Sequence, residues 1–350
     1  MSTDLPSATR VVVAGGGVIG CAVAWSLSRL GCSEVVVLEK GQVGCGTTWH
    51  SAGNIVRMST DAAAVQLFSE SANVVAQLHD RHHVGWRPCG RVMMARTEQR
   101  LREFSEVVDT LKSLNVSVER ITPTEILEKL PMMNVDDILG ALWSPGDGRV
   151  DPTALTNAYR KEAAESGVKF IEGVKVLRAL EHDGTVAGVE TNQGSIKCEV
   201  MVNCAGMWAR DLGLANNIPI PLYPVEHFYV LTETMDGVSA NMPTFRDPDG
   251  LIYGREEVGG LLLGCFDKNA IPVSTAELPQ PFEFSLLNEN WEQFAPYLEQ
   301  GIHRVPALET VGVRSLVNGP ESFTPDAEAH LDEAPELKNY FVLAGLSSSG

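Results

Sequence analysis

Gly15-x-Gly17-x-x-Gly20 and, about 20 residues further on, Glu39 are the first residues of the sequence with a chemistry to offer. Glycines at this spacing let the backbone turn tightly against a pyrophosphate, and the helix that follows presents N–H donors and the positive end of its dipole. A carboxylate closing the next strand can accept protons from both ribose hydroxyls. The pattern reads as a dinucleotide-binding site; a tight strand-to-helix turn without a ligand is the plainer alternative. A second stretch, Gly44-Cys45-Gly46-Thr47-Thr48-Trp49-His50-Ser51-Ala52-Gly53, is rich in glycine and hydroxyls and could wrap the far end of an extended dinucleotide. Its His50 is, by residue type alone, an ordinary loop histidine. Seven cysteines (Cys21, Cys32, Cys45, Cys89, Cys198, Cys204, Cys265) are scattered without a CxxC pair. They read as reduced, mostly packed thiols, and neither a disulfide framework nor a metal site is expected.

The fingerprint works only between a strand and a helix, and the surrounding pattern supplies both. Val11 to Ala14 is a short β-branched run, Ile19 to Leu30 has helical apolar spacing, and Val35 to Leu38 resumes a strand, a β-α-β opening. Ala62 to His79 and Leu101 to Leu114 repeat the helical spacing on either side of a strand-like Arg91 to Ala95. Thr122-Pro123-Thr124-Glu125 is a capping box, and Asp151-Pro152 opens a helix that Gly167 closes. From Val168 the pattern turns to strands: Val168 to Ile171, Val174 to Leu180, Val186 to Thr191 and Val200 to Cys204, with turns at Asp183-Gly184 and Gln193-Gly194. They are expected to form an antiparallel meander returning the chain to the first sheet. Pro219, Pro221 and Pro224 mark the crossing into a second unit with strands at Phe228 to Thr232, Leu251 to Tyr253, Leu261 to Cys265 and Val311 to Asn318, and a helix around Phe284 to Leu298.

Composition narrows the function classes. With 44% hydrophobic residues the chain can bury a core, and a net charge of −18 without a Lys/Arg-rich run argues against nucleic acid or an anionic membrane as partner. The longest apolar stretch, Val11 to Trp25, contains four glycines and is too short to span a bilayer. Met1 to Arg10 shows neither a hydrophobic signal core nor an amphipathic presequence, so the expected compartment is the cytosol, or the mitochondrial matrix if the native N-terminus is longer.

Around these residues the sequence resembles the FAD-dependent amine oxidoreductases of the D-amino-acid-oxidase superfamily, most closely the sarcosine and dimethylglycine dehydrogenases. The likeness covers essentially the whole chain. It rests on the Gly46-Thr47-Thr48-Trp49-His50 loop, Asn134-Val135-Asp136-Asp137, Pro145-Gly146-Asp147-Gly148 followed by Asp151-Pro152, Val202 to Ala209, and Gly319-Pro320-Glu321-Ser322-Phe323-Thr324-Pro325-Asp326. The resemblance implies an α/β fold: a Rossmann-like FAD-binding domain with a β-meander (1–84, 146–218 and 324–350), interleaved with an α+β substrate domain on an antiparallel sheet (85–145 and 219–323). It implies FAD held by Gly15, Gly17, Val18, Gly20, Glu39, Lys40, Gly46, Thr47, Thr48, Gly53, Val174, Ala205, Gly206 and Trp208, and joined covalently to His50.

The implied reaction is oxidative demethylation of an N-methylated glycine, with formaldehyde released and an electron-transferring flavoprotein as acceptor. His227 occupies the place of a histidine near the substrate, and Tyr253 that of a tyrosine closing the site. His227 would accept the ammonium proton, or is a strand histidine satisfied by Glu226. For the substrate carboxylate, Arg246, Arg255 and Arg314 are candidates, with Arg255 chosen for its place two residues after Tyr253; a surface arginine is the commoner explanation of any one of them. Trp49, Trp86 and Trp208 are expected to pack. Two departures stand out. Asp332 replaces a turn glycine, and the sequence reaches Ser347-Ser348-Ser349-Gly350 where the family continues into a helix facing the flavin and a folate-binding region. Taken as a whole chain, it would hold FAD less tightly. A second resemblance, to the regulatory subunit of pyruvate dehydrogenase phosphatase, rests on Glu226-His227-Phe228-Tyr229, Phe266-Asp267-Lys268-Asn269 and Phe341 to Gly345 and implies a binding protein without catalysis; His50, which that protein's loop lacks, favours the enzyme.

Overall fold

Val11–Ala14 is buried at all four positions, as a run of apolar residues demands of a central strand covered on both faces. It lies parallel between Val35–Glu39 and Val200–Asn203. Lys169–Glu172 extends the sheet beyond Val35–Glu39, and Tyr340–Ala344 extends it beyond Val200–Asn203, both parallel; His330–Glu333 closes that edge antiparallel. These relations come from a computed structural model, which describes residues 5–32 and 34–348. The start of the leader, Met1 to Asp4, and the terminal Ser349-Gly350 lie outside the described residues.

One face of this six-stranded sheet carries the helices Val18–Arg29 and Pro152–Glu165, whose Cys21, Ala24, Leu155 and Ala158 pack with Val11, Val13, Val35 and Val37. The other face carries a three-stranded meander, Val176–His182, Thr185–Thr191 and Gly194–Lys197, whose Ala179, Val189 and Ile196 meet Val12, Val36 and Leu38. Of the four strands expected to form the meander two do, joined by Gly194–Lys197 where only a turn was expected, and Val200–Asn203 returns to the main sheet parallel to Val11–Ala14. Lys169–Glu172 follows a helix and so returns by a crossover to lie parallel beside Val35–Glu39, in the main sheet.

The second sheet has eight strands in the order Val313–Phe323, Tyr223–Thr232, Gly260–Cys265, Ile252–Glu257, Thr244–Asp247, Arg91–Ala95, Gly140–Ser144 and Glu119–Ile121. It is antiparallel except between Thr244–Asp247 and Arg91–Ala95, which run parallel and join the two stretches of chain that build the sheet. The helix expected near Phe284 instead runs Trp291–Arg304, because the Asn290 side chain accepts from the Gln293 N–H and starts it there. Arg304, fully buried, pairs with Asp247 (2.9 Å), itself fully buried, and with Asp137 (2.9 Å), which fixes this helix to the sheet. Asp332 sits in the edge strand and needs no turn geometry; the left-handed residue near it is Ala327 (φ 62°). No helix among the described residues is long and apolar enough to cross a membrane, and all seven cysteines are free.

Candidate functional site

A cavity of about 510 Å³ runs from the fingerprint turn to the cavity-facing side of the eight-stranded sheet. At the first end Gly15, Gly17, Val18 and Ile19 line it, so the N-terminus of the helix Val18–Arg29 opens on it. The helix has no cap of its own; the Val18 N–H donates to Thr48 Oγ1 (3.1 Å), which ties the Thr47–His50 turn to the fingerprint. Glu39 is buried, and its two carboxylate oxygens accept from the Gly16 (2.7 Å) and Gly41 (2.9 Å) N–H groups. Burial still raises its pKa above the ordinary value. Lys40 lies over the Trp208 ring (3.1 Å to the centroid), and burial lowers it to about 8. Asn203, fully buried, holds the turn beyond its strand: its Nδ2 donates to Ala209 O and to Tyr340 Oη, and its Oδ1 accepts from the Ala205 N–H. Ala205 and Gly206 thereby face the cavity with little side chain between backbone and space.

The far end centres on His50. The ring packs on Gly319 of strand Val313–Phe323, where a Cβ would stand 2.3 Å from Cε1. His50 is 8% exposed, its Nε2 has no hydrogen-bond partner, and burial lowers its pKa to about 4, so the imidazole is neutral near pH 7. Gly319 is the cross-strand neighbour of His227. The His227 ring sits between Phe266 (5.5 Å) and Phe323 (5.7 Å), held down to about 4 by burial and then by the neighbouring His50. Glu226 points the other way and accepts from Asn290 Nδ2, so it does not satisfy His227. Tyr253 is buried, and its ring lies across strand Gly260–Cys265 at Gly264, where a Cβ would meet the phenol oxygen at 2.4 Å.

Of the residues expected to hold a cofactor, all but Gly20 line this cavity, and His227 and Tyr253 line it too. Gly20 stands behind the turn, under the Gly15 carbonyl. Arg255 is placed elsewhere: its Nε donates to Ala52 O (2.6 Å), and its Nη1 donates to Glu256 O (2.8 Å) and pairs with Glu257 (2.5 Å). It braces the loop after His50 and does not reach the cavity. Arg246, the candidate passed over for Arg255, is cross-strand from Tyr253 and lines the cavity, with its guanidinium over Phe266 at 4.4 Å. Arg91, on the adjoining strand and buried, faces the same space. Neither has a carboxylate within salt-bridge distance among the described residues, and both are shifted down mainly by burial, Arg91 to about 10. Arg91 and Glu321, which also lines the cavity, escaped sequence reasoning: the first looked like an ordinary strand start, the second like one letter of a longer signature.

An FAD fits these residues: a carboxylate for a ribose, a helix N-terminus for a pyrophosphate, and a buried imidazole with an orphaned nitrogen at the other end. Comparison with known proteins agrees. Residues 10–350 match the family described as FAD dependent oxidoreductase. The chain is 38% identical to mitochondrial sarcosine dehydrogenase of Homo sapiens, covering 100% of this chain and 39% of that one. It is also 38% identical to the mitochondrial pyruvate dehydrogenase phosphatase regulatory subunit of Mus musculus, covering 100% and 40%. It thus spans about two-fifths of the length of these curated relatives. Among solved structures it resembles L-proline dehydrogenase from P. horikoshii, with TM-score 0.89 and 25% identity over 99% of this chain and 90% of that one.

Proposed function

The chain belongs to the FAD dependent oxidoreductase family, and on that premise we propose that it oxidises an N-methylated amino acid of the sarcosine or dimethylglycine type. Bound in the cavity, FAD would accept a hydride equivalent from the N-methyl carbon, leaving an iminium that water hydrolyses to formaldehyde. The protein's part is to hold and orient. The observation that carries the reading is the orphaned, neutral imidazole of His50 facing the same cavity as two unpaired guanidiniums, Arg246 and Arg91. The imidazole is a competent nucleophile for a covalent link to the flavin 8α-methyl carbon, and a guanidinium pairs with a substrate carboxylate. Arg246 replaces Arg255 in that role, since Arg255 is committed to the Ala52 carbonyl and Glu257. Tyr253 and His227 wall the space where the amine would lie, and the Phe266 and Phe323 rings beside His227 keep water from it.

The six-stranded sheet draws its strands from 1–84, 146–218 and 324–350, and the eight-stranded sheet from 85–145 and 219–323, which supports a division into FAD and substrate domains at those points. An electron-transferring flavoprotein is the proposed acceptor, and the mitochondrial names of the relatives favour the matrix. The test is an anaerobic mixture of the flavin-loaded protein with sarcosine, then with dimethylglycine. Bleaching of the flavin by either supports the reading; a fully loaded protein that neither bleaches overturns the substrate. The 38% identity to the phosphatase regulatory subunit favours a second reading, a partner-binding protein without turnover. A preparation that takes up no FAD would decide for it.

A further inference from the structure

Three acids line the cavity: Glu39, Asp211 and Glu321. The first is bound by two backbone N–H groups beside the fingerprint, and the second accepts from Thr275 Oγ1 (2.5 Å). Glu321 accepts from its neighbour Ser322 N–H (3.2 Å) and has no cation within salt-bridge distance among the described residues. It lies on strand Val313–Phe323, on the face that also carries Gly319 under His50 and Phe323 against His227. A free carboxylate at the reacting end of a cavity is costly to keep unless something fills its need for a partner.

We propose that Glu321 receives the substrate's amine: its carboxylate holds the ammonium on binding and takes the ammonium proton before oxidation. The proposal rests on the oxidative demethylation reading and deepens it. In the step, one N–H bond of the ammonium breaks, its electron pair stays on nitrogen as the lone pair, and an O–H bond forms on Glu321; nothing is oxidised or reduced. The arrangement suits a zwitterion. Across the eight-stranded sheet Glu321 lies on one outer strand, Tyr253 on a middle one, and Arg246 and Arg91 on the two beyond, so acid and guanidiniums flank the phenol. The Tyr253 ring, folded over Gly264, is raised mainly by burial and also by the charge of Glu321, while Arg91 and Arg246 each feel the phenol.

Among the described residues that line this end of the cavity, Glu321 is the one base of suitable strength. His50 and His227 are both held near 4 by burial, too weak to take a proton from an ammonium near pH 7. Tyr229 and Tyr253 are raised by burial and stay neutral, and Arg246 and Arg91 are cations. Glu321 itself is lifted to about 7 by burial, where a general base works best at physiological pH.

The experiment uses the full-length, flavin-loaded protein and its Glu321→Gln and Glu321→Asp variants. Flavin reduction by sarcosine is followed by stopped flow across pH, binding of methoxyacetate, which has the carboxylate but no amine, by titration, and the infrared band of a protonated carboxylic acid across pH. Wild type should show an acid limb near pH 7 with a carboxylic acid band titrating alongside it. Glu321→Gln should lose both and slow reduction about 100-fold or more near pH 7, while the rate climbs with pH as free amine becomes available. It should bind methoxyacetate as wild type does, and Glu321→Asp should recover part of the rate. A Glu321→Gln protein that keeps the acid limb and the rate overturns the proposal, as does a wild type with no titrating carboxylic acid band. Failure of wild type to be reduced by any N-methylated amino acid instead overturns the functional reading, while the infrared titration still shows whether Glu321 exchanges a proton in this range.

Discussion

The His50 imidazole rests on Gly319 with no room between them for a methyl group: a Cβ at 319 would stand 2.3 Å from Cε1 and 2.6 Å from Nδ1. A ring is thereby fixed against one strand by the absence of a side chain on it, at the wall of the cavity and with its Nε2 left without a hydrogen-bond partner. Gly319→Ala should push the imidazole off this position without touching the fingerprint turn. Acid-precipitated wild type should retain yellow, fluorescent flavin on a gel. His50→Ala should release all of it and Gly319→Ala most of it, while both still bind FAD reversibly before acid. Flavin that washes from wild type in acid would remove the covalent link and leave the dinucleotide site standing.

The helix Trp291–Arg304 is tied to the sheet by Arg304, whose guanidinium pairs in full burial with Asp247 and also with the partly exposed Asp137. Removing one partner of such a pair leaves a buried charge and costs about 3–5 kcal/mol. Arg304→Met should therefore lower the denaturant midpoint sharply, and Asp247→Asn should do the same, because Asp247 also holds Arg96. Equilibrium unfolding of each variant checks this, and an unchanged midpoint would mean that apolar contacts alone seat the helix.

How much of this was legible in the sequence depends on the range of the interaction. The strand, glycine turn, helix and Glu39 are set by neighbours within 30 residues, and periodicity alone places them. The choice between Arg255 and Arg246 lay beyond the sequence for the opposite reason. Both arginines sit on strands of the same sheet, but only the fold shows that Arg255 meets the Ala52 carbonyl, 203 residues away in sequence. Glu321 was invisible as a site residue because its lack of a cation among the described residues is a property of three-dimensional surroundings, and a short acidic motif looks the same with or without one. Lys169–Glu172 was assigned to the meander since nothing local distinguishes a strand that pairs forward from one that crosses back.

Acid should weaken the fold in two stages. His50 and His227 have folded pKa values near 4 against an ordinary 6.5, so the folded state binds fewer protons than the unfolded, and stability falls as pH drops from 6.5 through 4. Asp137 and Glu162 lie near 2; in each, burial is outweighed by hydrogen bonds, from Arg304 and His303 in one and from Arg81, Trp25 and His82 in the other. Their contribution is whole above the ordinary carboxylate range and is lost as pH falls through 2. Glu321 runs in the other direction: folded near 7 against 4.5, it subtracts stability as pH rises from 4.5 to 7. A Tm series across pH should show Glu321→Gln above wild type near pH 8 and level with it near pH 4. A difference of the same size at both would place the effect in packing.

Arg246 and Arg255 should part company in kinetics although they sit nine residues apart on adjoining strands. Arg246 lines the cavity with no carboxylate within salt-bridge distance among the described residues, and a charged hydrogen bond to a substrate carboxylate contributes about 1.5–3 kcal/mol, a factor of roughly 10 to 150 in affinity. Arg246→Ala should raise KM by that factor with a smaller change in kcat, and Arg246→Lys should recover only part, because a point charge cannot reproduce a two-pronged guanidinium contact. Arg255→Ala frees the Ala52 carbonyl and loosens the loop that carries His50. Its loss should therefore appear as a lower fraction of covalently held flavin and a lower kcat, with KM near that of wild type. Steady-state kinetics normalised to bound flavin separate the two patterns; a KM effect confined to Arg255→Ala would return the carboxylate to Arg255 and leave Arg246 a packing residue over Phe266.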